Sequence, residues 1–127
     1  MSDFNTQHNR VVWFDMPVVD LDRAIAFYSG VLAIKVGRES SEGFEFGVLE
    51  HEQGNGGCLV PGTGEVADQG ALLYFNVDGR IRDAVAKVSE FGGRVKQDVH
   101  PIGPHGFRAI VSDSEGNCLA LHSQSDA

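Results

Sequence analysis

Trp13-Phe14-Asp15-Met16-Pro17-Val18-Val19-Asp20-Leu21-Asp22-Arg23-Ala24-Ile25-Ala26-Phe27-Tyr28 carries the reading of this chain. Residues 11–16 are β-branched and aromatic and predict a strand, which Pro17 is expected to end. Asp20 is placed to cap a helix, its carboxylate accepting from first-turn amides. Leu21, Ala24, Ile25, Tyr28, Val31 and Leu32 then recur at helical spacing, and Gly30 weakens the end of that helix. The same grammar returns about sixty positions later. A strand over 71–77 is followed by Asp78 as the expected cap. Ile81, Ala84, Val85, Val88 and Phe91 form a helical apolar face, and Gly92-Gly93 stops it because glycine tolerates a left-handed closing turn. The closing segments repeat as well: Gly57-Cys58-Leu59-Val60 answers Asn117-Cys118-Leu119-Ala120.

Working outward, the first half adds strands at 34–38, 44–49 and 58–60, and the second adds them at 94–99, 107–112 and 118–122. Each half is therefore βαβββ. Neither half alone covers both faces of a four-stranded sheet. The expected fold is α+β: two βαβββ modules forming a cupped mixed sheet with the helices outside and the binding space where the halves meet. The expected organisation is a flexible N-terminus over 1–10 and one domain over 11–122. Module one spans 11–60, a linker 61–70 and module two 71–122, leaving a tail at 123–127. Residues 50–57 read as a flexible tip, and 113–117 as turn chemistry.

Composition narrows the function classes. A chain of 127 residues can bury a real core. Its net charge of -8 and pI of about 4.9 argue against nucleic acid and against anionic membrane surfaces as partners. No apolar run is long enough for a membrane helix, and the N-terminus lacks a signal pattern. Two cysteines without an export signal are expected to stay as thiols in a cytoplasmic protein. No phosphate-binding loop, nucleophile elbow or dinucleotide fingerprint is present.

The stretch 18–28 resembles the V-x-D-L-x-x-[SA]-x-x-F-Y helix of the vicinal oxygen chelate superfamily, which includes glyoxalase I, bleomycin-resistance proteins and extradiol dioxygenases. Phe91-Gly92-Gly93 resembles its second-helix exit, and Asp113-Ser114-Glu115-Gly116-Asn117 its final D-x-x-G-N turn. The resemblance covers the chain from Val11 to His122. It implies the glyoxalase-like fold and, in the superfamily's metalloenzymes, His or Glu ligands on the first and last strands of each module. Carried over by position, those four sites fall on Trp13, Val60, Leu72 and Ala120. None has a donor for a hard or borderline metal, so no metal or other cofactor is expected.

Strand alternation sets the expected ligand-binding cup: Val11, Trp13 and Asp15; Cys58 and Val60; Leu72, Tyr74 and Asn76; Cys118, Ala120 and His122. This largely apolar, aromatic set suits a small organic ligand held by stacking and a few hydrogen bonds. A packed core or a dimer contact explains Trp13 and Tyr74 equally well. His122 is the candidate general base, with a core-capping histidine as the plainer reading. Asp15 either orients a partner or caps the turn before Pro17. Cys58 and Cys118 with His122 suggest soft metal ligands, or else apolar filling explained by the duplication. His100, His105 and Phe107 are placed on a lid loop over 99–107, and His51 on a solvated tip. The function expected is that of a glyoxalase/bleomycin-resistance-like binder of a small organic ligand, a homodimer acting without metal. The alternative is a divalent-metal lyase or isomerase resembling glyoxalase I, using Zn, Ni or Mn. Its displaced ligands would come from His122, His105, Cys118 or Glu50.

Overall fold

The computed structural model describes residues 9–51, 54–62 and 70–127. They divide into two compact units: Trp13–Ala71, and Leu72–Ala127 together with the stretch ending at Val12. The flexible terminus expected over 1–8, the part of the tip at 52–53 and the part of the linker at 63–69 lie outside the described residues.

The first unit holds β1 (Val11–Val18, whose first two residues count with the second unit), α1 (Leu21–Leu32), β2 (Val36–Ser41), β3 (Phe44–Leu49) and β4 (Cys58–Pro61). Its strands lie in the order β2-β3-β4-β1. The β2–β3 and β3–β4 pairs are antiparallel and β1–β4 is parallel. The β2–β3 hairpin turns on Glu42 and Gly43, with φ of 54° and 80°. Two positive φ values in a two-residue turn match the twist of the paired strands. A Cβ on Gly47 would meet Ile25, so this face of the sheet carries α1. Leu59, the register partner of both Gly47 and Met16, shares that face and is fully buried. Asp15, Cys58 and Val48 are register partners on the opposite face.

Asp20 caps α1 as expected, accepting from the Arg23 amide at 3.1 Å. Pro17 does not end β1, however. It pairs with Val60 one residue before the strand closes, where a missing N–H costs the ladder least.

The second unit repeats the plan with β5 (Leu72–Asn76), α2 (Ile81–Glu90), β6 (Arg94–Pro101), β7 (Phe107–Ser112) and β8 (Cys118–Ser123). The order β5-β8-β7-β6 is the same topology, with β5–β8 parallel and the other pairs antiparallel. Ile81, Val111 and Leu121 are buried against Phe75, Val85, Val88, Val95 and Leu119. Each such side chain stabilises the fold by about 1.5–3 kcal/mol when taken from water. Gly92 closes α2 at φ 94°. Gly93 is required by space, since a Cβ there would lie 2.4 Å from the Ser112 carbonyl oxygen.

Asp78 is not the helix cap. The N-cap residue of α2 is Arg80, which makes no side-chain cap bond. Asp78 Oδ1 instead accepts from the Gln124 amide at 2.7 Å and from Ser123 Oγ at 3.3 Å. Ser123 is completely buried, and its Oγ accepts from the Gly79 and Ser125 amides. Arg82 Nε donates to the Asp126 carbonyl. The tail at 123–127 is thus strapped to the start of α2. Asn9 and Arg10 are likewise held, their carbonyls accepting from the Asn76 side chain and backbone. In the β7–β8 turn, the side-chain amide of Asn117, aided by backbone amides, holds the Asp113 carboxyl below its usual range. Among the described residues, no helix is long and apolar enough to cross a membrane.

Candidate functional site

The polar chemistry of the second unit gathers in one row. Asn76 on β5 stands opposite His122 on β8, His122 opposite Arg108 on β7, and Arg108 opposite His100 on β6. Register partners share a face, and strands lie about 4.8 Å apart, so the row crosses all four strands in about 14 Å. Residues facing α2, such as Val111 and Leu121, alternate with this set, so the row lies on the face away from the helix.

Hydrogen bonds order the row. Arg108 Nη1 donates to Tyr74 Oη at 2.7 Å, and its Nε donates to His100 Nε2 at 3.0 Å. His100 Nδ1 lies 2.8 Å from the Asp98 carbonyl oxygen. That bond assigns the proton to Nδ1 and leaves Nε2 as the acceptor Arg108 needs. His122 Nε2 donates to the His105 carbonyl at 2.7 Å, which makes Nδ1 its acceptor nitrogen. The His122 ring meets Tyr74 edge-on with centroids 6.3 Å apart. Tyr74 is only 5% exposed, and Leu72 and Ala120 beside it are buried. A depression of about 200 Å³ beside the row is lined by Val12, Asn76, Asp78, His122 and Gln124. A larger one, about 290 Å³, runs along the start of α1. Its charged groups are Asp20, already used as a cap, and Arg23, so it gathers less chemistry.

The expected lid has a different form. His100 belongs to β6 and Phe107 to β7, so the connection is only 102–106, with a single 3-10 turn at Gly103–His105. Ile102 and Gly106 close it by a 2.9 Å backbone bond, and His122 holds the His105 carbonyl. A Cβ on Gly106 would lie 2.5 Å from the Ser123 carbonyl oxygen, so the turn sits tight on β8. Of the two prolines and two glycines that suggested a long loop, Pro101 ends β6, and Gly103, Pro104 and Gly106 make a short, tied turn.

In the first unit, Trp13, Asp15, Cys58 and Val60 share the face away from α1, by alternation from the Asp15–Cys58 pair. Cys58 Sγ donates to Asp15 Oδ1 at 3.0 Å, and β1 runs through Asp15 to Val18, so there is no turn before Pro17 to cap. Trp13 meets the His51 ring edge-on at 5.5 Å, and a Cβ on Gly56 would strike that ring at 2.6 Å. His51 rests one side of its ring on these neighbours and stays exposed, as expected of a residue at the tip. Glu50 accepts from the Lys35 amide.

Sequence reading put Tyr74, Asn76 and His122 on one face, as the register does, but did not single out Arg108 and put His100 on a loop. The available signal was the alternation in Phe107-Arg108-Ala109-Ile110-Val111, which sets Arg108 on the face of Ile110, opposite Ala109 and Val111.

Residues 10–121 match the family described as the Glyoxalase/Bleomycin resistance protein/Dioxygenase superfamily. The chain belongs to that superfamily. A glyoxylase-like domain-containing protein of Didymella fabae is 27% identical over 121 residues, 90% of this chain and 93% of that protein. Among solved structures in the superfamily's fold, the Mn(II)-bound glyoxalase of Novosphingobium aromaticivorans superposes with a TM-score of 0.67 at 17% identity. It covers 91% of this chain and 38% of that one. A variant methylmalonyl-CoA epimerase of Streptomyces coelicolor, in complex with 2-nitronate-propionyl-CoA, superposes with a TM-score of 0.64 at 20% identity. It covers 95% of this chain and all (100%) of the other. These likenesses show the fold.

The superfamily's metal chemistry does not fit the donors present here. Trp13 and Val60 share the inner face of their unit, Leu72 and Ala120 that of theirs, and none offers an oxygen, imidazole or thiolate. The displaced set fares no better. Cys118 and His122 are four residues apart on β8, about 13 Å at 3.3 Å per residue, whereas one zinc needs both donors within about 2.3 Å. Glu50 accepts from the Lys35 amide, Cys58 Sγ donates to Asp15, and His122 Nε2 is spent on a carbonyl. Among the described residues, no three His, Cys, Asp or Glu side chains are arranged to hold a metal.

Proposed function

We propose that this superfamily member binds a small organic molecule without a metal, and that the Asn76–His122–Arg108–His100 row is the polar part of its site. The observation that carries the reading is Arg108 fixed between Tyr74 and His100 on a sheet face away from the helix core. Buried Leu72, Tyr74 and Ala120 give the hydrogen-bonding groups of the row a packed apolar base, and small-molecule sites set a few fixed polar groups in apolar surroundings. Trp13, Asp15, Cys58 and Val60 supply a second aromatic and polar patch, on the first unit. His122 keeps Nδ1 as acceptor for a ligand hydroxyl or N–H. The thiol state of both cysteines supports a cytoplasmic setting, and exposed Phe27 and Val31 on α1 support a homodimer.

The test is elemental analysis of untagged protein purified without chelator, followed by titration with Zn²⁺, Ni²⁺ and Mn²⁺ and by ligand titrations read on Trp13, the single tryptophan. We expect no stoichiometric metal and a saturable fluorescence change with an organic ligand in the presence of chelator. One tightly held metal per chain, required for binding or turnover, would overturn the reading in favour of a metal lyase or isomerase.

A further inference from the structure

We infer that the ligand of this face carries a primary ammonium group, and that Asp78 and His122 receive it in the depression at the Asn76 end of the row. The inference rests on the site proposed above and names its ligand class.

The hydrogen-bonding groups around the depression carry it. Its lining is Val12, Asn76, Asp78, His122 and Gln124. The fixed donors there are engaged. Asn76 Nδ2 donates to the Asn9 carbonyl at 3.3 Å, and the Asn76 amide to the Arg10 carbonyl at 2.8 Å. The Asp78 amide donates to Asn76 Oδ1 at 2.9 Å, and the Gln124 amide to Asp78 Oδ1 at 2.7 Å. His122 Nε2 donates to the His105 carbonyl. Acceptors are left over. Oδ1 takes both bonds made to the Asp78 carboxylate, from Gln124 and from Ser123, so among the described residues Oδ2 has no donor. His122 Nδ1 likewise makes no bond among the described residues. The Gln124 side-chain amide can turn its oxygen inward. A ligand that fits this rim brings hydrogen-bond donors, and a positive charge matches the Asp78 carboxylate. An ammonium has three donors and no acceptor.

These acceptors are in place before binding. Asp78 is held through its own amide by Asn76 and through Oδ1 by the Gln124 amide and the buried Ser123 hydroxyl. The His122 ring is held by the His105 carbonyl and rests edge-on against Tyr74. Groups fixed in advance lose little freedom when a ligand arrives. Asp78 and Gln124 each stand two residues beyond the register pair Asn76 and His122, so the carboxylate extends the row by one step of the strand alternation. Arg80 pairs with Asp83, and Arg82 with Asp126. Arg108 lies across His122 from Asn76 and does not line the depression. The net charge of -8 favours the approach of a cation. At about 200 Å³ the depression is smaller than the roughly 300–1,000 Å³ that encloses a drug-sized molecule, so it takes a head group rather than a whole ligand of that size.

The experiment is isothermal titration with matched pairs, benzylamine against benzyl alcohol and phenethylamine against phenethyl alcohol. Benzyltrimethylammonium serves as a cation without N–H. We expect at least one amine to bind about 10- to 100-fold more tightly than its alcohol, the scale of a hydrogen bond to a charged group. Benzyltrimethylammonium should bind no better than benzyl alcohol, which separates hydrogen bonding from mere attraction to an acidic protein. Asp78→Asn keeps an oxygen for the Gln124 amide and the Ser123 hydroxyl and puts a donor in place of Oδ2, so it should abolish the amine preference. Gln124→Lys keeps the backbone bond to Asp78 and sets a competing ammonium beside Oδ2, so it should abolish the preference too. Circular dichroism confirms that each variant is folded, and if Asp78→Asn fails to fold, Gln124→Lys decides. Alcohols binding as tightly as amines, benzyltrimethylammonium binding as tightly as benzylamine, or an amine preference surviving in Gln124→Lys overturns the inference while the site itself stands. If none of these compounds binds at millimolar concentration the inference falls, and the tryptophan titration above decides the site.

Discussion

Asp78→Ala separates two accounts of one carboxylate. If Asp78 were the cap of α2, its removal would cost about 1 kcal/mol, the usual worth of an N-cap. The structure makes it the anchor of the C-terminal strap. The mutation removes the acceptor of the Gln124 amide at 2.7 Å, a bond to a charged group worth about 1.5 kcal/mol or more. It also removes the acceptor at 3.3 Å of the fully buried Ser123 hydroxyl, whose lost partner costs about 1 kcal/mol or more. The expected loss is about 2–4 kcal/mol, which at about 4 °C per kcal/mol for a chain of this size lowers Tm by about 8–16 °C. Urea denaturation followed by circular dichroism measures it. Ser123→Ala is the companion mutation, because Ser123 Oγ also accepts from the Gly79 and Ser125 amides. Groups in one network do not add, so the double mutant should lose less than the sum of the two by about 0.5 kcal/mol or more. A loss near 1 kcal/mol that simply adds to that of Ser123→Ala would refute the strap and restore the cap.

Two further outcomes follow from local geometry. Because Asp113 has a depressed folded-state value, its ionised form stabilises the β7–β8 turn fully above the ordinary Asp range, and the contribution is lost as pH falls through the lower folded value. The urea midpoints of wild type and Asp113→Asn should therefore differ at neutral pH and converge in acid; a gap that persists in acid contradicts the assignment. Gly93→Ala places a methyl against the Ser112 carbonyl and the Val88 side chain, so β6 must shift. We expect thermal melting to report a loss of about 1–3 kcal/mol, as for overpacking, and a neutral result would show that the bend is not space-limited.

The duplication was legible because it is local chemistry written twice. Apolar spacing, the Asp20 cap and the Gly92-Gly93 stop are set by residues within a few positions of each other, and each appears in the structure. So do the faces of β1, β5 and β8, since alternation along a strand needs no partner to be read. Asp78 was misread for the same reason: its position before α2 has cap grammar, while its partners Ser123 and Gln124 lie more than forty residues away. Pro17 was misread because proline is tolerated where a ladder needs no donor, and only pairing shows where that is.

The candidate site divides along the same line. Residue order by itself determined the βαβββ plan, the superfamily, and the lack of donors at Trp13, Val60, Leu72 and Ala120. It also put Tyr74, Asn76 and His122 on one face. Tertiary structure alone decided the register that sets His100 beside Arg108 and Arg108 beside His122. From the turn, Pro101–Phe107 and His100–Arg108 run in step, and the irregularities of β6 begin only beyond His100, so what hid the pair was the length of the turn, which was expected to be a longer loop. Identity along a chain is local information. Which side chains meet across strands depends on register, and register is settled by the whole buried face at once.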